Sequence, residues 1–174
     1  MRTPQWVIKL GGHAGELYVA AELSKRGIPN ALLPENFTGD DIMFGNREGG
    51  KLGYIQVKSC HPDRSDSFIL SDKQEEWVDA KDHEFVVFVW LGSPARNEGP
   101  EYWIATKREV GEVCRAHPLH ETGKRERRFF VQRASGGKLE LRWPPEQARL
   151  WASWNDNWAL FEPYRPAAKE NPAG

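Results

Sequence analysis

Between Gly39 and Ser59 a carboxylate, an amide and an ammonium group recur at a spacing that suits one kind of chemistry. The segment reads Gly39-Asp40-Asp41-Ile42-Met43-Phe44, then a glycine-rich turn, then Gly53-Tyr54-Ile55-Gln56-Val57-Lys58-Ser59. Two short apolar runs flanking Asn46-Arg47-Glu48-Gly49-Gly50-Lys51 predict a β-hairpin. Alternation along its second strand puts Gln56 and Lys58 on one face and Ile55 and Val57 on the other. Asp41, at the head of the first strand, adds a carboxylate to the polar set. Oxygen ligands beside a strand-borne lysine suit a hard divalent cation and an anionic substrate.

An acidic residue at a hairpin start, followed by x-[Glu/Gln]-x-Lys on the next strand, resembles the PD-(D/E)XK nuclease superfamily. Here the pattern is Asp41 with Gln56-Val57-Lys58. The glutamine form is similar to the Mrr-like restriction endonucleases, and the small size is similar to archaeal Holliday-junction resolvases. The resemblance covers roughly residues 11 to 106. It implies an α/β (α+β) fold with an αβββαβ core, a central mixed sheet flanked by helices. The rest of the chain adds a C-terminal hairpin and a Trp-rich helix.

In that superfamily the acid follows Gly-x and precedes an apolar residue, which selects Asp41 over Asp40. The first helix commonly carries a glutamate, matched here by Glu16. The resemblance therefore implies an endonuclease that hydrolyses DNA phosphodiester bonds with Mg²⁺ or Mn²⁺, in restriction, defence or repair. Asp41, Glu16, the Gln56 amide oxygen and the Val57 backbone carbonyl would be ligands, and Lys58 would orient the attacking water. Glutamine brings no charge, so the site is one carboxylate short of the Glu-x-Lys form. Cutting both strands of a duplex often takes two sites, which makes a homodimer the form to test.

The elements that must position these groups read as follows. Gln5 to Leu10 is a short strand or a packed lead-in, and a helix runs from Gly12 to Arg26, stopping at Gly27. Glu16, Ala20 and Leu23 share one face of it, so Glu16 is carried inward. A carboxylate on a packing face is costly unless paired or metal-bound; the plainer reading is a glutamate favoured by the dipole of the first turn. His13 enters the helix beside it. Asn30 to Leu33 leads into a strand that Pro34 confines to an edge or ends. Ser67 to Leu70 is another strand, and a capping box at Ser71 and Gln74 opens a helix over Asp72–Asp82. Phe85 to Leu91, seven apolar residues in succession, predicts a strand buried on both faces at the centre of the sheet.

Tyr102 to Ala105 forms the next strand, and Thr106 with Glu109 caps a helix to about Ala116. Phe129–Gln132 and Leu139–Arg142 pair as a hairpin, and a helix begins at Pro144-Pro145. It would carry Trp151, Trp154 and Trp158 at i, i+3 and i+7, a core stripe in preference to a base-stacking or dimer surface.

The 174 residues fit one domain over 1–162 with a flexible tail over 163–174. The formal net charge of −1 gives no global basic signature, so DNA must meet a local patch. Lys124, Arg125, Arg127 and Arg128 are the candidates for gripping phosphate, against the plainer reading of a solvated loop. No apolar run is long enough to span a bilayer and no signal pattern opens the chain, which points to the cytoplasm and away from a membrane. Cys60 and Cys114 give no disulfide framework. Cys114, His117 and His120 only loosely approach a zinc spacing, and Pro118 interrupts it. Two other classes stay open: a catalytically weak nuclease-fold DNA-binding scaffold, and a protein-interaction subunit docking through its Trp-rich end.

Overall fold

The computed structural model describes residues 5–34, 39–46, 49–61, 66–117, 126–133 and 137–167. The Phe85 to Leu91 run forms β5 (Glu84–Trp90), an interior strand. Phe85, Val87 and Val89 face one apolar core, while Val86, Phe88 and Trp90 face another. A strand with apolar residues at every position is stable only when both faces are covered, and this one is.

The main sheet has the order β1-β2-β3-β5-β6, with β1 (Asn30–Leu32), β2 (Ile42–Asn46), β3 (Lys51–Cys60) and β6 (Glu101–Thr106). β3 and β5 run parallel and the other pairs antiparallel, so the sheet is mixed. β1 is an edge strand and ends at Leu32, before Pro34. On one face lies α1 (Gln5–Lys25), joined by the 3-10 helix Trp158–Tyr164. On the other lie α2 (Lys107–Ala116), α3 (Ala148–Trp154) and a second, antiparallel sheet of β4 (Ser67–Ser71), β7 (Glu126–Arg133) and β8 (Leu139–Trp143). This is the mixed α/β architecture expected, with its flanking helices and C-terminal hairpin.

Several local expectations are corrected. Gln5 to Leu10 is not a strand but the first part of α1, which runs unbroken through Gly11 and Gly12. The glycines serve close packing: a Cβ on Gly15 would lie 2.8 Å from Ser59 Cβ, and the Ser59 hydroxyl donates to the Gly11 carbonyl at 3.0 Å. The segment read as a helix over Asp72–Asp82 is a 3-10 helix ending at Asp79, although Gln74 does accept from both the Ser71 N–H and hydroxyl. The second capping box, Thr106 with Glu109, forms as expected.

Trp151 and Trp154 are core residues on α3, with Trp103 stacked on Trp151 at 5.0 Å. Trp158 is buried too, but on the next element and in the opposite core. The helix breaks because Asn155 bridges to Trp103 and the Asp156 N–H donates to the Tyr102 carbonyl. That break covers the open edge of β6, which would otherwise invite pairing. The last 3-10 helix runs past Pro163, and the Tyr164 ring packs 4.8 Å from Phe44. Among the described residues no helix is long and apolar enough to cross a membrane.

Candidate active site

β3 is twice the length of β2, and the site lies where it outruns its partner. β2 pairs with β3 only as far as Ile42 opposite Ile55. Just before it the Asp41 N–H donates to the Ile55 carbonyl, and the Asp41 carbonyl accepts from the Leu33 N–H. The next N–H on that edge of β3 belongs to Val57, and the Asp41 Oδ2 accepts it at 2.6 Å. The carboxylate thus replaces the missing strand.

Pleating decides what lies beside it. Ile55, Val57 and Ser59 face α1. Gln56 and Lys58 face the other way, paired in register with Val86 and Phe88 of β5. Lys58 is half-buried, and that burial pushes its ammonium below the usual lysine range, against the pull of Asp41 and with the push of Lys107. Burial raises the Asp41 carboxyl; the Val57 N–H, Lys58 and Lys107 only partly oppose it, and Asp40 adds to it. An acid and a base that both resist ionising sit side by side, a pattern common at catalytic sites.

The sequence pattern sets Asp40 aside in favour of Asp41 and does not single out Lys107 or Glu84. Lys107, the first residue of α2, places Nζ 2.6 Å from Asp40 Oδ1 and 3.5 Å from Glu84 Oε1, over the Trp77 ring at 5.6 Å. Asp40 and Lys107 are each 7% exposed in their side chains. Glu84 also accepts from the Lys81 N–H. Burial alone would raise its carboxyl, but Lys81 and Lys107 outweigh that and hold it low. The available signal was a lysine at the start of a capped helix, where the dipole disfavours a cation.

Glu16 is half-buried and reaches His13 Nδ1 at 3.5 Å. Its helix lies over the opposite face of the sheet from Gln56 and Lys58. Tyr18, Glu22 and Arg26, on one flank of α1, act on Tyr102 of β6. Helical spacing puts Glu16 off that flank. Lys124 and Arg125 lie outside the described residues, while Arg127 and Arg128 fall on β7 opposite Leu70 and Ile69.

Among the described residues no three His, Cys, Asp or Glu side chains are grouped to hold an ion. The donors at Asp41 are a carboxylate and the neighbouring Gln56 amide, all hard oxygen. Such a sparse set leaves most coordination positions to water. It fits Mg²⁺, which keeps several waters and takes one or two carboxylates plus substrate phosphate.

No protein-family model and no curated protein matches the chain. Among solved structures, a bacterial homing endonuclease, I-Ssp6803I, is similar with a TM-score of 0.49 and 15% identity over 88% of this chain and 90% of that one.

Proposed function

We propose that the chain is a divalent-metal-dependent endonuclease that hydrolyses DNA phosphodiester bonds. The observation that carries this reading is the Asp41 carboxylate, held on the Val57 N–H beside the desolvated Lys58. Asp41, the Gln56 amide oxygen and the Val57 carbonyl would hold Mg²⁺ or Mn²⁺, with Glu16 adding charge from the α1 side. When bound, that ion supplies Lewis-acid polarisation of a phosphate oxygen and acidifies a bound water.

The chain's own residues supply the rest. Lys58 Nζ orients the attacking water and offsets charge developing on the phosphorus. Its desolvation makes it a weaker proton holder than a surface lysine, so it can also exchange a proton with that water. Val57 keeps the Asp41 carboxylate from swinging away. Lys124, Arg125, Arg127 and Arg128 would bind backbone phosphates through charge-assisted hydrogen bonds.

One observation favours a second reading. Lys107 already pairs with Asp40, which leaves the site poor in free carboxylate. A nuclease scaffold that binds DNA without cutting it would have such a site. The deciding experiment is a cleavage assay with Mg²⁺, Mn²⁺ and EDTA on plasmid, four-way junction and single-stranded DNA. Metal-dependent cleavage of any of them supports the enzyme; binding without cleavage supports the scaffold.

A further inference from the structure

Lys107 is placed where a lysine should not be. It opens α2 directly after the Thr106 cap, where the helix's partial positive charge opposes a cation. It is also buried, and an enclosed ammonium is costly unless well paired. Enclosure rules out contact with a DNA phosphate. What Nζ does touch are two segments that meet over the site: Asp40, at 2.6 Å, and Glu84 at the start of β5, at 3.5 Å. Asp40 is joined by one peptide bond to Asp41, and Gly39 before it turns the chain at φ 79°. Before Ile42 this turn has left the β2 ladder: Asp41 keeps backbone hydrogen bonds to Ile55 and Leu33, and Lys107 reaches Asp40 from another element.

We propose that Lys107 is a positioning residue of the nuclease site: through its buried pair with Asp40 it clamps the Gly39–Asp41 turn to α2 and sets the Asp41 carboxylate on the Val57 N–H. The catalytic consequence rests on the endonuclease reading; the geometric claim does not. A pair that served only stability would leave Asp41 in place when both charges were removed together, since buried ion pairs are often replaceable at little cost.

Lys107→Met alone strands a buried carboxylate, so the informative protein is Lys107→Met with Asp40→Asn. Asp40→Asn alone carries the same readouts should the double variant not fold. Lys107→Arg, which keeps a cation on Asp40, is the rescue control. Measured on the full chain are thermal stability, amide exchange at Val57, Mn²⁺ affinity without DNA, DNA affinity, and single-turnover cleavage. With thermal stability near the parent's, the clamp predicts Val57 exchange faster by about tenfold while β5 amides keep their rates. Mn²⁺ binding should weaken and the cleavage rate fall by similar factors, with DNA affinity unchanged and Lys107→Arg close to the parent. Unchanged Val57 exchange and Mn²⁺ affinity in the charge-free variants would overturn the clamp. Should the parent cut no DNA at all, the enzyme reading falls by itself, and Val57 exchange still decides the clamp.

Discussion

The Asp41 carboxylate accepts the Val57 N–H at 2.6 Å, at the first position where β3 has no strand beside it on that edge. A side chain doing a strand's work is held firmly, and here the atom it holds is the one the proposed chemistry needs. The same carboxylate is raised by burial.

That combination separates stability from activity at Asp41. Its folded form binds the proton more tightly than the unfolded chain, so its contribution to stability is present at low pH. It is lost as pH rises through the raised folded value. Asp41→Asn retains an acceptor oxygen for Val57 and removes the charge. The apo variant should therefore match or exceed the parent's melting temperature at neutral pH, with a flatter pH profile, while cleavage drops by about a hundredfold or more. Melting curves across pH 3 to 8 beside single-turnover assays check both halves.

Lys58 has the opposite sign. Burial lowers its folded value, so its stability contribution is present above the ordinary lysine range and lost as pH falls through the folded value. At neutral pH the charged side chain is a cost. Lys58→Met should hold or raise apo stability while cutting single-turnover hydrolysis by about two orders of magnitude, roughly 3 kcal/mol of transition-state stabilisation. Metal and DNA binding should persist. Were Lys58 only a surface partner of Asp41, the variant would lose at most about 1 kcal/mol of stability and cut normally.

Gln56→Glu tests the missing carboxylate directly. The new side chain faces the same way as Lys58 and precedes Val57, whose N–H the Asp41 carboxylate accepts, so it adds an anion to the donor set. Mg²⁺ affinity in the absence of DNA should rise by about tenfold, near 1.4 kcal/mol. Apo stability should fall, because two like charges then share a desolvated site. Calorimetric titration and melting of the same sample report the two effects, and an unchanged Mg²⁺ affinity would remove Gln56 from the ligand set.

What the sequence disclosed and what it hid divide along a physical line. The two-sided burial of β5 and the opposed faces of Gln56 and Val57 follow from local pattern, and both were legible. Pro34 marked where β1 had to be at an edge or stop, and β1 does both, ending at Leu32. Pairings between distant segments were not legible. Lys107 and Asp40 are 67 residues apart, and nothing local to either one names the other as its partner. Trp158 fits the helical spacing of Trp151 and Trp154, but the β6 edge captures Asn155 and Asp156 and breaks the helix between them. Gly11 and Gly12 resemble a helix start because the cost of glycine is local, whereas the reason for glycine in α1 lies across the interface on β3.

That interface yields the last prediction, a contrast between two glycines of one helix. Gly-to-Ala inside a helix stabilises by up to about 1 kcal/mol when nothing opposes it. At Gly12 an added Cβ meets nothing within 4 Å, so Gly12→Ala should gain most of that amount. At Gly15 the Cβ would sit 2.8 Å from Ser59 Cβ and 3.3 Å from Val57 Cγ1. Both belong to β3 and neither is the end of a long, flexible side chain, so α1 must move off the strand. Overpacking of this kind costs about 1–3 kcal/mol, which outweighs the helix gain. Gly15→Ala should therefore lower the denaturation midpoint where Gly12→Ala raises it. The displaced helix carries Glu16, and the displaced strand carries Val57, so Gly15→Ala should also weaken metal binding while Gly12→Ala leaves it alone. Equal shifts in the two variants would mean that α1 does not approach β3 closely at Gly15, and the route from helix packing to the site would be lost.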